Sequence, residues 1–550
     1  MLQLQNRINV KLAHDFQLLQ THGFCAVDFK HAIKQLKTGK ADGNIGLNSD
    51  CLVNGTERLF TLLSLFFRVI LVHGFVPEDI LLGTMTPLPK NKNLQSSDNY
   101  RAVTLISSIL KLFDYNVLIK FEKVFHTDSL QMGFKAGCST TLCTSMMVET
   151  ARIFNSNKSK VHTVLLDATK AFDRIEFSRL FHILLDNQFN AVYARCLLYM
   201  YTNQQLQIHW NGCYSKSFYV KNGVKQGGVL SPFLFGLYLD KLIKTLRDSG
   251  MGCYVGPHFM GCIAYADDLV LMSPTKNGLL QMLDICNQFS LDYKLKFNGA
   301  KSQYIVFDRK VNPGEHNIQV FDIMLTNQDN VNHLGHKVYA TTGKNNLDGI
   351  IATFYKQFNF FRSRFSKVAS SIQARLFETY CSSFYGFVLE PLNLMNKLRV
   401  VWRKALRLVW KLPYQTHCAI VACLSKGLCD KHMFLSRFIG FAHSALNHKS
   451  DIISFIMRSA LKSQFSPFRQ NMEYLCGQLE IDVDSLINPS KSKYHFKALT
   501  RKNCMQSCKN EADQIKAKTV AELTDVIDNL SDCILDYSEI RFIINSLSLN

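Results

Sequence analysis

The stretch Met260–Met272 reads M-G-C-I-A-Y-A-D-D-L-V-L-M, and its two adjacent acids limit what this chain can be. Strand-forming and aromatic residues flank Asp267 and Asp268, so the segment reads as a hairpin with strands near Cys262–Tyr265 and Leu269–Met272 and the acids at its tip. Aspartate is a common turn residue, and a lone pair would ordinarily be no more than that. Here the apolar flanks place the turn over a core. Like charges this close repel, and burial raises their pKa unless cations compensate. A third acid enters the same argument. Val161–Leu166 (V-H-T-V-L-L) is a buried-type strand ending at Asp167, after which Phe177, Leu180, Phe181, Leu184 and Leu185 recur at helical spacing. A sheet could bring Asp167 alongside the hairpin tip.

Three carboxylates on adjacent strands would form a hard-oxygen site suited to Mg²⁺. A pair of such ions activates a hydroxyl and stabilises a leaving oxygen in an in-line phosphoryl displacement. The chain carries 63 Lys and Arg against 43 Asp and Glu, a formal charge of +20. Polyanions are the natural partners of such an excess, nucleic acid first and an anionic membrane surface second. From the residues alone, the expectation is a two-metal nucleotidyl transferase or nuclease.

At 550 residues and 47 % hydrophobic content, the chain holds enough apolar mass for several packed cores and is not disordered. The most apolar stretch, Leu62–Phe75, contains Arg68 and His73 and falls short of the ~20 residues of a spanning helix. The start lacks a secretory pattern. No C-x-x-C pair occurs among the 17 cysteines, which read as free, mostly buried thiols in a reducing compartment. Residues from about 30 to 345 alternate β-rich runs with helical periodicity, as in mixed α/β or α+β domains. From about 350 the pattern is helical and basic, and Lys491–Lys518 is rich in Lys and Ser. Gly223–Asp240 reads as a Gly-rich loop feeding a helix, with Ser231 as its N-cap and Pro232 in its first position.

An ordered series of segments resembles the reverse transcriptase of non-LTR (LINE-type) retrotransposons. These are P-L-P-K (Pro87–Lys90), N-Y-R-A-V-T-L (Asn99–Leu105), Q-M-G-F-K-A-G-C-S-T-T (Gln131–Thr141) and L-D-A-T-K-A-F-D-R-I (Leu166–Ile175). They continue with G-V-K-Q-G-G-V-L-S-P (Gly223–Pro232), A-Y-A-D-D-L-V-L (Ala264–Leu271), F-N-G-A-K-S (Phe297–Ser302) and H-L-G-H-K-V (His333–Val338). The resemblance implies an α+β right-hand polymerase fold with fingers, a palm on an antiparallel sheet and a helical thumb. It implies fingers and palm over 30–345 (motif core about 70–341), a thumb-like region over 346–445, and a helical, basic C-terminal region over 446–550. Residues 1–29 would be an N-terminal remnant.

The resemblance also implies roles. Asp167, Asp267 and Asp268 would be the catalytic acids and, with the Ala168 carbonyl, the ligands of two Mg²⁺ ions, for which Mn²⁺ could substitute. Lys90 and Arg101 would hold the triphosphate, since a planar guanidinium suits phosphate. Phe172 would lie under the incoming sugar and exclude a 2′-hydroxyl; ordinary core packing is the alternative. Gln226, Gly227 and Gly228 would border nucleotide and template, where absent side chains allow close backbone approach. Lys301 would protonate the departing pyrophosphate, and Leu334 and Gly335 would form a primer-contacting turn. In Lys397–Lys411, Arg403, Lys404 and Arg407 suit a helix lying along a nucleic-acid backbone, or equally a solvated helix packed on the palm. Trp402 and Trp410 read as core.

The partners so implied are an RNA template, a DNA primer and dNTPs, with no membrane and no inferable protein partner, in an intracellular setting, nuclear or cytoplasmic. Departures from the family pattern are Ala102 for the usual Pro, Cys138 for a basic residue, and an altered Gly39–Gly46. With about 30 residues before the fingers, the family's N-terminal endonuclease is expected to be missing. The rival reading is a nucleic-acid-binding remnant without turnover; an intron maturase or RNA-templated RNA polymerase is a third.

Overall fold

The strand Val161–Ala168 is the axis of the palm in this computed structural model, which describes residues 1–22, 24–39, 46–90, 95–310, 312–418, 421, 430–487 and 492–518. Its first six residues are all buried. It sits inside a four-stranded sheet ordered Phe297–Phe307, Val161–Ala168, Asp268–Ser273, Cys262–Tyr265, with every neighbouring pair antiparallel. A strand with partners on both edges and helices over its face can be apolar throughout, which is why V-H-T-V-L-L shows no alternation. Helices Thr140–Ser156 and Lys276–Tyr293 pack on this strand, and Ser231–Asp248 packs on Cys262–Tyr265. Their starts are fixed locally. The Ser139 hydroxyl accepts from the Leu142 N–H and the Thr275 hydroxyl from the Gly278 N–H, each relieving an unpaired first-turn donor.

A second sheet forms the fingers. Leu82–Pro89 pairs antiparallel with Tyr100–Leu105 and parallel with Gln205–Trp210, whose other side receives Cys213–Tyr214 and Phe218–Tyr219. Beside it Phe24 meets Phe29, Phe67, Phe113 and Tyr193 edge-on at 5.3–6.0 Å, a favoured geometry for aromatic rings. The N-terminal helix Leu2–His22 joins this body by burying Leu4 and Ile8 and pairing Arg7 with Asp186.

Helices Leu347–Phe365, Ser370–Cys381 and Asn396–Val409 pack on one another around Phe354, Phe358, Phe377 and Trp402. Trp402 is fully buried and Trp410 nearly so, as the sequence led us to expect. Farther on, Asp451–Ala460 packs against Thr140–Ser156, and Lys493–Lys518 against Asp430–Leu446.

Three expectations need adjustment. The second hairpin strand begins at Asp268, so the turn is Ala266–Asp267, and the palm strand runs to Ala168. Leu230, not Ser231, holds the N-cap of the helix Ser231–Asp248, which puts Pro232 in its second position. The chain is already αR at Leu230 (φ −76°, ψ −22°), so no extended residue is available for a serine cap. Most of the Gly39–Gly46 motif (40–45) and the end of the C-terminal region (519–550) lie outside the described residues.

The helix Thr140–Ser156 carries a buried acid, Glu149, whose carboxylate accepts from the Phe468 N–H at 3.0 Å. Nearby, Glu390 accepts from the Asn346 N–H at 2.9 Å. Burial pushes both carboxyls up to about 7. The folded state therefore keeps these protons where the unfolded chain has lost them, so the stability they contribute is complete below about pH 4.5 and lost as pH rises through 7. The melting temperature is expected to fall between pH 5.5 and 8. Thermal scans of Glu149→Gln/Glu390→Gln should show a shallower fall.

Candidate active site

Sheet register brings the acids together. Leu269 stands opposite Leu166, so Asp268, which opens its strand opposite Tyr265, lies next to Asp167 on the neighbouring strand. On the other edge Asn298 stands opposite Asp167 and Phe297 opposite Ala168. All three acids are only partly buried, and their chemistry records their proximity. Burial raises the Asp267 carboxyl above its usual range, Asp167 raises it further, and Arg101 and Lys90 pull it back. Asp268 is pushed up to about 6 by burial and by the charges of Asp267 and Asp167. As the side chains stand, among the described residues no three His, Cys, Asp or Glu groups close around a metal. The convergence is set by backbone register.

The turn that carries Asp267 is held from outside. Ala266 has φ +55°, a left-handed conformation that costs a non-glycine residue roughly 1–2 kcal/mol. Gln131, 2 % exposed, grips it: its Oε1 accepts from the Ala266 N–H and the Gly133 N–H, both at 3.1 Å, and its Nε2 donates to the Ala266 carbonyl at 3.4 Å. The flanking backbone continues the grip, with Met132 N–H donating to Ala264 O at 2.7 Å and Ala264 N–H to Leu130 O at 2.9 Å. Gly133 has to be glycine here, because a Cβ would fall 2.4 Å from the Ala266 nitrogen.

Around the acids the structure places most of the residues singled out above. Arg101 stands opposite Leu88 on the fingers sheet, with Lys90 just beyond the end of its strand; both reach the field of Asp267. The strand Phe297–Phe307 loses register between Asn298 and Gln303, and in that bulge Lys301 Nζ comes to 4.0 Å from Asp167 Oδ2. At 70 % and 38 % exposure this pair is solvent-screened and weak. Phe172 stacks on Phe235 at 4.7 Å and meets Phe134 edge-on at 6.2 Å, half-buried under the loop before Ser231. In that loop the Gln226 carbonyl accepts from the Thr104 N–H at 2.7 Å. Gly227 has φ +111°, and a Cβ there would meet Thr104 O at 2.8 Å. Gly228 follows inside the same turn, its N–H donating to Lys225 O at 3.0 Å.

Leu334 and Gly335 form the tip of a hairpin between Asn330–His333 and His336–Tyr339, both with positive φ. Tyr385, from the connection after Ser370–Cys381, donates its hydroxyl to Leu334 O at 2.8 Å and stacks on His336 at 4.4 Å. Because that proton is committed, Thr140 Oγ1 at 2.7 Å donates to the Tyr385 oxygen. The thumb-side cations are arranged differently. Arg403 pairs at 2.9 Å with the buried Asp430, and Arg407 donates through Nε and Nη2 to Thr416 O at 3.0 and 2.7 Å. Of the three cations singled out there, Lys404 alone is exposed, sharing its face with Lys397, Val400 and Leu408.

Gln131, Thr140 and Tyr385 were not assigned roles from sequence. Gln131 and Thr140 lie inside a motif read for its order alone, and Tyr385 acts across 51 and 245 residues, where no local pattern reaches.

Acids at the ends of neighbouring strands of an antiparallel sheet, with cations on a separate sheet nearby, match the arrangement expected of the palm of a right-hand polymerase. Residues 88–338 match the profile of the family described as reverse transcriptase (RNA-dependent DNA polymerase). A retrovirus-related Pol polyprotein from the type-2 retrotransposable element R2DM of Drosophila melanogaster is 28 % identical over 238 residues, 42 % of this chain and 22 % of that protein. The R2 polyprotein of Popillia japonica is 28 % identical over 210 residues, 38 % of this chain and 29 % of its own. The RNA-directed DNA polymerase from mobile element jockey of Drosophila funebris is 21 % identical over 429 residues, 72 % and 45 % of the two chains. Residues 88–338 are thus similar to a reverse transcriptase domain and to the corresponding parts of these retrotransposable-element proteins, and the chain spans less than a third of the R2 proteins it matches. A solved apo telomerase from Candida tropicalis, truncated of its C-terminal domain, is 13 % identical over 54 % of this chain and 63 % of that one, with a TM-score of 0.32.

Replacing Gln131 by Leu keeps the volume and orphans two buried N–H groups, at about 1–3 kcal/mol each. Urea titration should show this loss. Ala266→Gly in the same background should recover about 1 kcal/mol, because glycine holds a positive φ without steric cost.

Proposed function

We propose that this chain is an RNA-directed DNA polymerase that extends a primer 3′-hydroxyl on an RNA template, as part of a non-LTR retrotransposon. The observation that carries the reading is the register that sets Asp167 beside Asp268 and the Asp267 turn. A pure binding scaffold has no use for clustered carboxylates next to phosphates, because they repel.

The donor set fits hard cations: oxygen ligands only, with burial and the charges of the neighbouring acids raising the Asp267 and Asp268 carboxyls above their usual range, a penalty that a bound cation would relieve. Asp167, Asp267 and Asp268, with the Ala168 carbonyl, would hold the ions, Mg²⁺ with Mn²⁺ as substitute. When bound, two such ions lower the pKa of the primer hydroxyl and stabilise the leaving oxygen.

The remaining work falls to the chain's own groups. Lys90 and Arg101 bind the triphosphate and orient its α-phosphorus. The primer 3′-oxygen forms the new P–O bond as the bond between the α-phosphorus and its bridging oxygen to the β-phosphate breaks, and pyrophosphate leaves. The hydroxyl proton passes to solvent, and Lys301 supplies one to the pyrophosphate. Phe172, anchored on Phe235, occupies the space of a 2′-hydroxyl. Gln226, Gly227 and Gly228 border the nascent pair, and the Leu334–Gly335 turn, bolted by Tyr385, supports the primer end. Arg403 and Arg407 are spent within the protein, so of these three cations it is Lys404, beside the exposed Lys397, that is placed to meet a duplex phosphate.

Primer extension on an RNA template should incorporate dNTPs with Mg²⁺, and Asp267→Asn/Asp268→Asn should lower the rate by about 10³-fold or more. Phe172→Val should relax discrimination against rNTPs by on the order of 10–100-fold. Absence of extension with RNA binding intact would identify a binding remnant; a preference for rNTPs would exclude reverse transcription.

A further inference from the structure

The hairpin that closes the fingers sheet has a surface that the reading above leaves unused. Between Asp186 and Asp240 the chain contains no acidic residue, while the exposed Lys216 and Lys221 fall in that interval. At its centre the strands Gln205–Trp210, Cys213–Tyr214 and Phe218–Tyr219 expose large rings to solvent: Tyr214 is 58 % exposed and Tyr219 57 %. A soluble chain hides such rings or uses them.

Register sorts the rings by face. Leu88 stands opposite Arg101, Thr84 opposite Gln207, His209 opposite Tyr214 and Gln205 opposite Tyr219. Residues two apart on a strand share a face, so Arg101, Gln207, His209, Tyr214 and Tyr219 lie on one side of the sheet, and Tyr100 and Trp210 on the other. The two sets of rings stay on their own sides. His209 and Tyr214 pair at 4.7 Å, Tyr100 and Trp210 at 5.3 Å. Tyr219 is steadied by Gln205 Nε2, which donates to its hydroxyl at 3.1 Å. Through Arg101 the first face reaches the field of Asp267.

We infer that this face is a stacking platform for single-stranded RNA, on which the unpaired template lies before it reaches the palm. The inference rests on the reading that the chain copies RNA. Exposed ring faces take any base, at about 1–3 kcal/mol per stacked base. The lack of acids along this interval and the exposed Lys216 and Lys221 favour a polyanion over a protein. Gln205 and Gln207 offer uncharged donors and acceptors that suit no particular sequence. The hairpin runs straight into Gly223–Gly228, so a strand leaving the platform arrives at the loop beside Phe172.

The test is fluorescence anisotropy at fixed salt, with a primer–template whose RNA strand extends about ten nucleotides beyond the duplex and a blunt duplex as reference; the span matches the site size of single-strand binding folds. Tyr214→Ala/Tyr219→Ala should weaken binding to the extended substrate about tenfold or more and leave the blunt duplex within about twofold. Tyr214→Phe/Tyr219→Phe, which keeps both rings, should bind as the native protein does, and Trp210→Ala, on the far face, should too. Overhang-dependent binding should persist in Asp267→Asn/Asp268→Asn, so failure of the platform and failure of the polymerase reading are separately visible. Unchanged affinity for the extended RNA in the alanine variant, an equal loss on the blunt duplex, or a changed oligomeric state as the sole effect would each overturn the inference; the last would mark the face as a protein contact.

Discussion

Carboxylates that repel one another stay together only if the backbone gives them no choice. In this protein the constraint is the double antiparallel pairing of Val161–Ala168, which fixes Asp167 between Asn298 and the start of Asp268–Ser273. The first six residues of the strand are buried, so a slip in register would misfit side chains packed on both faces and draw the Asp167 charge towards the core. Register is therefore strongly specified by burial, and the acids inherit their positions from it. The electrostatic penalty, visible in Asp268 being pushed up to about 6, is borne by the apolar sheet beneath.

The turns that finish the site follow a common plan. Ala266 and Leu334 both adopt a left-handed conformation without being glycine, and each is held by a side chain distant in sequence, Gln131 in one case and Tyr385 in the other. Strain of this kind persists only where the surroundings over-determine it. The helix Thr140–Ser156 links the two devices, because it follows the Gln131 segment and supplies Thr140 to Tyr385. Its far end packs on Asp451–Ala460 and bonds to Phe468 through Glu149. One helix thus couples the hairpin of acids, the Leu334 turn and the C-terminal helices.

In the thumb-side helix, local reading singles out residues and leaves their use open. Basic residues threaded through Asn396–Val409 at helical spacing read equally as a nucleic-acid face or a packed helix. Neutralisation of Asp430 by Arg399 and Arg403, with Arg407 on Thr416 O, settles most of them as internal. A guanidinium is long enough to cross to a neighbouring helix, so its destination is decided by what that helix presents.

The amino-acid sequence by itself determined the strands around Val161–Leu166, Cys262–Tyr265 and Leu269–Met272, the helix Phe177–Asp186, the loop before Ser231 and the burial of Trp402, because periodicity, turn chemistry and apolar runs act over a few residues. It also singled out the three acids, because a buried-type strand ending in one and an apolar hairpin carrying two together outweigh the ordinary reading of a turn. What only the tertiary structure decided are the contacts that cross the chain: Gln131 on Ala266, Tyr385 on Leu334, Arg403 on Asp430, and the side of the fingers sheet on which Tyr214 and Tyr219 stand. The physical reason is separation. Such bonds form between groups brought together by the packing of whole elements, and nothing in the residues next to either partner encodes the other.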